Sequence, residues 1–337
     1  MVKVAVIGCG YWGPNIIRNI CEVDDCQLFA CCDINEKRLF SIKKRYPSVN
    51  LSLDYRELLK NPEVDAVVIV TPAETHFKIA KEAFLHGKHV LVEKPITFDV
   101  KEAEELITIS QKAKKILMVG HTFEYNPAVI KAKEYISNGD LGQLYYITSR
   151  RLNLGIIRDN INAMWSLAPH DISILNYLLD GMPDYLKAVG TSFLQKDIED
   201  VVFMYLYYPN NITAHVQVSW LDPHKVREMV IVGSKKMVVY DDIDNEGKIK
   251  IYDKGVDKLA NDNVFGESQM KLRAGNLVVP KIELYEPLHK ECQHFIECII
   301  NNKHPRTDGE NGLRVVKVID AAFRSLKNKG VLTKVER

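Results

Sequence analysis

The chain has 337 residues, 46% of them hydrophobic and 26% charged, with 45 Lys and Arg against 44 Asp and Glu. This is the composition of a globular chain, long enough for about two domains. The balanced charge offers no basic excess to neutralise a phosphate backbone. That argues against nucleic acid as a partner but leaves a phosphorylated small molecule open.

Met1 leads straight into a β-branched run, Val2 to Ile7, with no pattern of a signal peptide. A helix is expected over Pro14–Glu22, a buried strand over Gln27–Cys32 and a helix over Asn35–Arg45. Asp65–Val70 is nearly pure Val, Ile and Ala, the pattern of a strand covered on both faces. A helix over Thr75–Leu85 is stopped by Gly87. Strands over His89–Val92 and Ile116–Val119 flank a helix over Val100–Lys114. Strands alternating with helices predict a doubly wound parallel sheet, an α/β Rossmann domain over residues 1–122. Beyond it come helices over Pro127–Ser137 and Pro169–Leu179 and a strand over Leu144–Asn153. A succession of strands follows near 186–194, 201–208, 212–220, 226–232 and 236–241, with closing helices near 286–301 and 311–328. This predicts an α+β domain over 123–337 with an open, mostly antiparallel sheet.

Seven cysteines, five of them in the first 32 residues, do not form a disulfide framework. No apolar run reaches the roughly 20 residues that cross a bilayer. A cytoplasmic protein with no membrane partner is expected. His289, Cys292, His294 and Cys298 lack the paired spacing of a zinc site and are read as helix residues, with no metal.

Gly8-Cys9-Gly10-Tyr11-Trp12-Gly13 joins the first strand to the first helix. Gly8 permits a tight turn, Gly10 lets the backbone approach a pyrophosphate, and Gly13 lets the helix pack closely on the strand. The helix N-terminus adds free N–H groups and positive dipole. Asp33 lies about 20 residues beyond the third glycine, at the end of the second strand, where an acid takes the ribose 2′-hydroxyl of NAD. Lys37 and Arg38 follow it and keep NADP open.

Two further stretches carry a resemblance. One is Val68-Ile-Val-Thr-Pro-Ala-Glu-Thr-His76 and the other Val92-Glu-Lys-Pro95. With the glycine loop, they make the chain resemble the Gfo/Idh/MocA family of glucose–fructose oxidoreductases and inositol dehydrogenases. The likeness continues through Gly120–Pro127, Gly139–Gly142 and the closing helix. From Arg151 through Gly155, Arg158 and Trp165-Ser-Leu-Ala-Pro-His-Asp171, it is similar to the branch acting on nucleotide-linked sugars. The resemblance implies an NAD-dependent dehydrogenase oxidising a secondary ring hydroxyl, such as the 3-hydroxyl of UDP-N-acetylglucosamine or its uronic acid. It implies Thr71, Pro72, His76, Glu93 and Lys94 near the cofactor, beside Tyr11 and Trp12 of the glycine loop. His76 could equally cap its helix.

Removing a hydride from a secondary alcohol needs a base for the hydroxyl proton and a positive neighbour for the developing alkoxide. By resemblance Lys94 contacts substrate and cofactor, and His170 is the general acid/base. The inositol dehydrogenase type sets an aspartate four residues before that histidine; here the position is Ser166, which cannot supply the charge. Asp171 is adjacent but points elsewhere on a helix. Asn153, Arg158 and Trp165 are candidate substrate contacts, an arginine suiting a diphosphate. Arg150 and Arg151 are alternatives, of which only one faces any given side. Tyr125 and Asn126 match pocket positions near the nicotinamide. The competing readings are an NADP-linked ketosugar reductase, a free-sugar or inositol dehydrogenase, and a non-catalytic NAD-binding regulator. The relatives implied by the resemblance pair through the open sheet, so a homodimer or homotetramer is expected.

Overall fold

The computed structural model describes residues 1–155, 157–159, 161–259 and 269–337. The chain divides into two units, one of residues 1–126 and 285–317, the other of 127–284 and 318–337. The linear pattern placed its boundary at 122/123. Nothing local in the sequence marks the return of 285–317 to the first unit.

The first unit alternates β1 (Val2–Ile7), α1 (Gly13–Glu22), β2 (Cys26–Cys32), α2 (Glu36–Arg45), β3 (Asn50–Ser52), α3 (Tyr55–Lys60), β4 (Ala66–Ile69), α4 (His76–Leu85), β5 (His89–Glu93), α5 (Val100–Ala113) and β6 (Leu117–Gly120). Among the described residues its strands run in the order β3-β2-β1-β4-β5-β6, and every pairing is parallel. β1 and β4 are buried nearly end to end because helices cover both faces. Three helix starts in this unit are set by side chains: Asn35 accepts from the N–H of Lys37 and Arg38, Asp54 from that of Arg56, and Asp99 from those of Lys101 and Glu102. The strand order reverses between β1 and β4. The crevice beyond their carboxyl ends is where such sheets take ligands.

The second unit comprises α6 (Pro127–Ser137), β7 (Leu144–Leu152), α7 (Ala163–Leu179), β8 (Tyr185–Thr191), β9 (Val201–Tyr208), β10 (Ile212–Ser219), β11 (Val226–Gly233), β12 (Met237–Asp241), β13 (Ile249–Leu259) and β14 (Gln269–Val278). Near the end of the chain come α8 (Pro287–Asn301), α9 (Gly309–Lys327) and β15 (Thr333–Lys334). The second sheet has the order β14-β13-β12-β11-β7-β10-β9-β8-β15. Only its β7–β10 pairing is parallel among the described residues. α6 and α7 cover one face. On β9, Val202, Met204, Leu206 and Tyr208 point into that core, and Phe203, Tyr205 and Tyr207 point away. On the open face His215 of β10 lies 4.9 Å from the ring of Tyr205 and 6.2 Å from that of Phe203.

α8 belongs to the first unit. Its Leu288, Cys292, Phe295 and Ile296 enter the core formed by Ile16, Ile17 and Met118. Glu286, at the N-terminus of α8, accepts from Arg18 at 2.6 Å and from Asn19 at 3.0 Å on α1. His294 Nε2 accepts from the backbone N–H of Arg306 at 3.0 Å, with the Cys298 sulfur 3.5 Å away. These contacts give both residues structural work.

Several elements differ from the sequence expectation, which did not include β3, α3 or β15. α7 starts at Ala163, six residues earlier than Pro169 suggests, because Asn162 caps it and accepts from the N–H of Trp165 at 3.1 Å. Pro169 therefore sits inside the helix, bringing no N–H to its ladder, and His170 lies mid-helix, not at its start. The long pair β13–β14 was not foreseen, because both strands are rich in charged residues.

Candidate active site

In the first unit, the glycine loop lies at the end of β1. Gly8 has φ +104°, and a Cβ there would stand 2.6 Å from the carbonyl oxygen of Val70. Gly8 is thus fixed by close approach to the residues that run into Thr71-Pro72. A Cβ on Gly13 would meet the Gly8 carbonyl at 2.3 Å. Gly10 is different: the nearest protein atom to its would-be Cβ is an Arg38 nitrogen at 3.7 Å, an ordinary contact. Protein packing does not demand glycine there, but close approach of a ligand would. No side chain caps α1; Pro14 brings no N–H, and those of Asn15 and Ile16 donate to the Trp12 carbonyl at 3.0 and 3.4 Å, so the helix start offers an anion its positive dipole end.

Asp33 is buried and already bonded. One oxygen accepts from the Cys9 N–H at 2.7 Å and the other from the Asn35 N–H at 2.8 Å. The Arg38 guanidinium stands 3.4 Å away, half-exposed. Asp33 thus braces the glycine loop as well as presenting a carboxylate where a ribose would lie.

Tyr11 is almost fully exposed. Trp12 turns back, and its Nε1 donates to Glu93 Oε1 at 2.8 Å. The other Glu93 oxygen accepts from the backbone N–H of Lys94 at 3.2 Å. One carboxyl group therefore ties the glycine loop to the end of β5. A Cβ on Gly120 would come within 3.1 Å of that carboxyl. Burial pushes the Glu93 pKa up, opposed by Lys94 and by its two hydrogen bonds. Beneath lies Glu291 of α8, fully buried, accepting from the Thr122 hydroxyl at 2.7 Å while its Oε1 has no partner. Burial first, then Glu93, raises its pKa well above the usual carboxyl range.

His76 is buried, with Nδ1 2.8 Å from the Pro95 carbonyl and Nε2 2.9 Å from that of Thr71. It braces Thr71-Pro72 against the turn after Lys94. It makes no side-chain cap, and burial lowers its pKa. A neutral ring carries one N–H and serves one of the two carbonyls at a time. The Thr71 hydroxyl pairs with that of Thr75 at 2.7 Å. Tyr125 is a core residue: its hydroxyl is 3.3 Å from that of Thr307 and the Arg306 guanidinium lies over its ring. The motif fixes the chain position of Tyr125 but not its side-chain direction. Asn126 is buried too.

In the second unit, His170 and Trp165 are half-buried on α7. Asp171 faces the sheet. It accepts from Arg151 Nε at 2.7 Å and Nη2 at 3.2 Å, and from the Ser149 hydroxyl at 2.8 Å. Both oxygens are thus committed to β7. Arg150 is exposed and Arg151 buried, as strand alternation requires. Asn153 and Arg158 follow β7 on the surface, and the Arg158 carbonyl accepts from Gln195 at 2.9 Å. No helix among the described residues is long and apolar enough to cross a membrane.

The profile of the oxidoreductase family with an NAD-binding Rossmann fold, Gfo/Idh/MocA, matches residues 2–121, and that of the Gfo/Idh/MocA C-terminal domain matches 129–239. The chain belongs to this family. It is an NAD-binding oxidoreductase. It is similar to UDP-N-acetylglucosamine 3-dehydrogenase of Acidithiobacillus ferrooxidans, at 26% identity over 94% of both chains. It is also similar to myo-inositol 2-dehydrogenase of Thermotoga maritima, at 24% over 97% of both. Among solved structures, aldose-aldose oxidoreductase from Caulobacter crescentus superimposes with a TM-score of 0.84 at 20% identity, over 99% of both chains.

The residues that would hold NAD in a member of this family are the glycine loop, the positive end of α1, Asp33 and the Thr71-Pro72 turn. All gather at the carboxyl end of the first sheet. The open space over Gly10 fits a pyrophosphate. Sequence reasoning missed the Trp12–Glu93 link, Glu291, His121 and the Arg151–Asp171 pair. Only His121, directly after Gly120, carried a local signal.

Proposed function

We propose that the protein uses NAD to oxidise a secondary ring hydroxyl of a nucleotide sugar, the 3-hydroxyl of a UDP-N-acetylhexosamine or its uronic acid. The observation that carries this is Lys94. It places a primary amine at the carboxyl end of β5, next to the carboxyl group that holds Trp12 of the glycine loop. The sugar assignment is supported by likeness to a UDP-N-acetylglucosamine 3-dehydrogenase over 94% of the chain. The exposed Arg158 and Asn153 suit a diphosphate and its sugar.

In this reading Lys94 takes the hydroxyl proton. NAD, when bound, accepts the hydride from the same carbon. His170 is the second proton-handling group, its imidazole suited to exchange near neutral pH. Ser166, four residues before it, can orient the ring only by hydrogen bonding, and Asp171 is occupied by Arg151 and Ser149. Residues 1–122 bind the cofactor, with Tyr11 and Trp12 beside it. The second unit, residues 127–284 and 318–337, mediates association and supplies Trp165 to the substrate, with Asn126 a further contact. The outward Tyr185, Tyr205 and Tyr207 form an aromatic sheet face that a second copy would cover.

The test is NADH formation at 340 nm with NAD and a panel of UDP-N-acetylglucosamine, its uronic acid, UDP-glucose, glucose and myo-inositol. Turnover confined to UDP-amino sugars is expected. Turnover only with glucose or myo-inositol would overturn the nucleotide-sugar assignment. NAD binding without turnover on any of them would favour a regulator.

A further inference from the structure

His121 follows β6 directly and is 1% exposed. Neither of its ring nitrogens meets a hydrogen-bond partner. β5 and β6 pair in register up to Glu93 and Gly120, so Lys94 and His121 are the next residues off two adjacent strand ends. A fully buried imidazole with neither nitrogen satisfied weakens a fold, and native proteins seldom keep one without a reason.

We infer that His121 is a positioning residue for Lys94: its imidazole accepts a hydrogen bond from the Lys94 ammonium as that ammonium forms. The inference rests on the reading of Lys94 as proton acceptor given above. The substrate O–H bond breaks, and its proton makes a new N–H bond on the neutral Lys94 amine. The hydride leaves the adjacent carbon for NAD, and the carbon–oxygen bond becomes a carbonyl. His121 neither gains nor loses a proton. An acceptor idle in the resting protein and engaged as charge develops stabilises the transition state more than the ground state.

The neighbours of Lys94 within this unit favour His121 for the task. Glu93 already accepts from Trp12 and from the Lys94 backbone, and Glu291 bears on Glu93. The two nitrogens of His76 face the Thr71 and Pro95 carbonyls. Burial, then Lys94, pushes the His121 pKa down to about 3. The ring is therefore neutral at working pH and keeps an acceptor nitrogen.

The test compares full-length His121→Phe, His121→Gln and Lys94→Ala with the parent protein. Two readouts are taken with NAD bound. One is titration of Lys94 by NMR of protein carrying 13Cε-lysine, the resonance being assigned by its loss in Lys94→Ala. The other is the pH profile of kcat on the panel substrate that turns over. Losing a neutral acceptor disfavours the ammonium. His121→Phe should therefore move the Lys94 titration to lower pH by about half a unit or more. It should lower kcat about tenfold or more while leaving KM for NAD unchanged. It should also raise the melting temperature of the ligand-free protein, because two orphaned polar atoms are gone. His121→Gln, which restores an acceptor, should keep most of the parent titration and rate. A Lys94 titration unchanged in His121→Phe would overturn the inference while leaving the proposed function standing. Full turnover by Lys94→Ala would overturn both.

Discussion

Arg151 and Asp171 give the sharpest stability prediction. Their side chains are 8% and 4% exposed and are joined by two hydrogen bonds, and the Ser149 hydroxyl also donates to the carboxylate. Arg151→Met keeps most of the apolar stem and removes the charge. It leaves Asp171 buried with one hydroxyl donor. Breaking a buried pair from one side costs about 3–5 kcal/mol, because the remaining charge is uncompensated. For a unit of this size that lowers the melting temperature by about 6–20 °C. The double change Arg151→Met/Asp171→Leu replaces both partners with apolar groups and should recover most of the loss. Urea unfolding of ligand-free protein followed by circular dichroism measures both. A single variant within about 1 kcal/mol of the parent would mean the pair behaves like a surface ion pair and does not hold α7 to β7. A double variant as unstable as the single would show that the loss comes from packing, not from the orphaned charge.

Two further predictions concern the cofactor half. Gly8→Ala forces a Cβ against the Val70 carbonyl at a positive φ and should abolish NAD binding and destabilise the first unit. Gly10→Ala meets only Arg38 at 3.7 Å; it should leave unfolding free energy within about 0.5 kcal/mol of the parent yet weaken NAD about tenfold or more by calorimetry. Equal stability losses for the two would refute the view that Gly10 is reserved for a ligand. Asp33→Ser removes the carboxylate but leaves the half-exposed Arg38 beside it, so affinity for NADP relative to NAD should rise about tenfold or more. An unchanged ratio would mean that Asp33 serves only the loop N–H groups.

What the sequence reveals is what local chemistry enforces. β1 and β4 are legible because a strand covered on both faces must be apolar throughout, and Gly8 and Gly13 because a turn that close tolerates no side chain. The alternation on β9 announces a sheet with one open face. Pro169 misleads because proline usually opens a helix, whereas the true start is set by the Asn162 side chain. The motifs place His76 and Tyr125 in the chain but cannot say that one would be clamped between two carbonyls and the other sealed beside Arg306. Links between residues far apart in the chain, such as Trp12 with Glu93 or Thr122 with Glu291, leave no local trace. The return of α8 to the first unit is equally silent.

The central claim is that hydride leaves carbon 3 of a UDP-N-acetylhexosamine for NAD. UDP-N-acetylglucosamine carrying deuterium at carbon 3, incubated with the protein and NAD, tests it through the mass of the nicotinamide product. The account predicts one deuterium in the reduced nicotinamide. Reduced nicotinamide formed without deuterium, or formed only from myo-inositol or glucose, would contradict it.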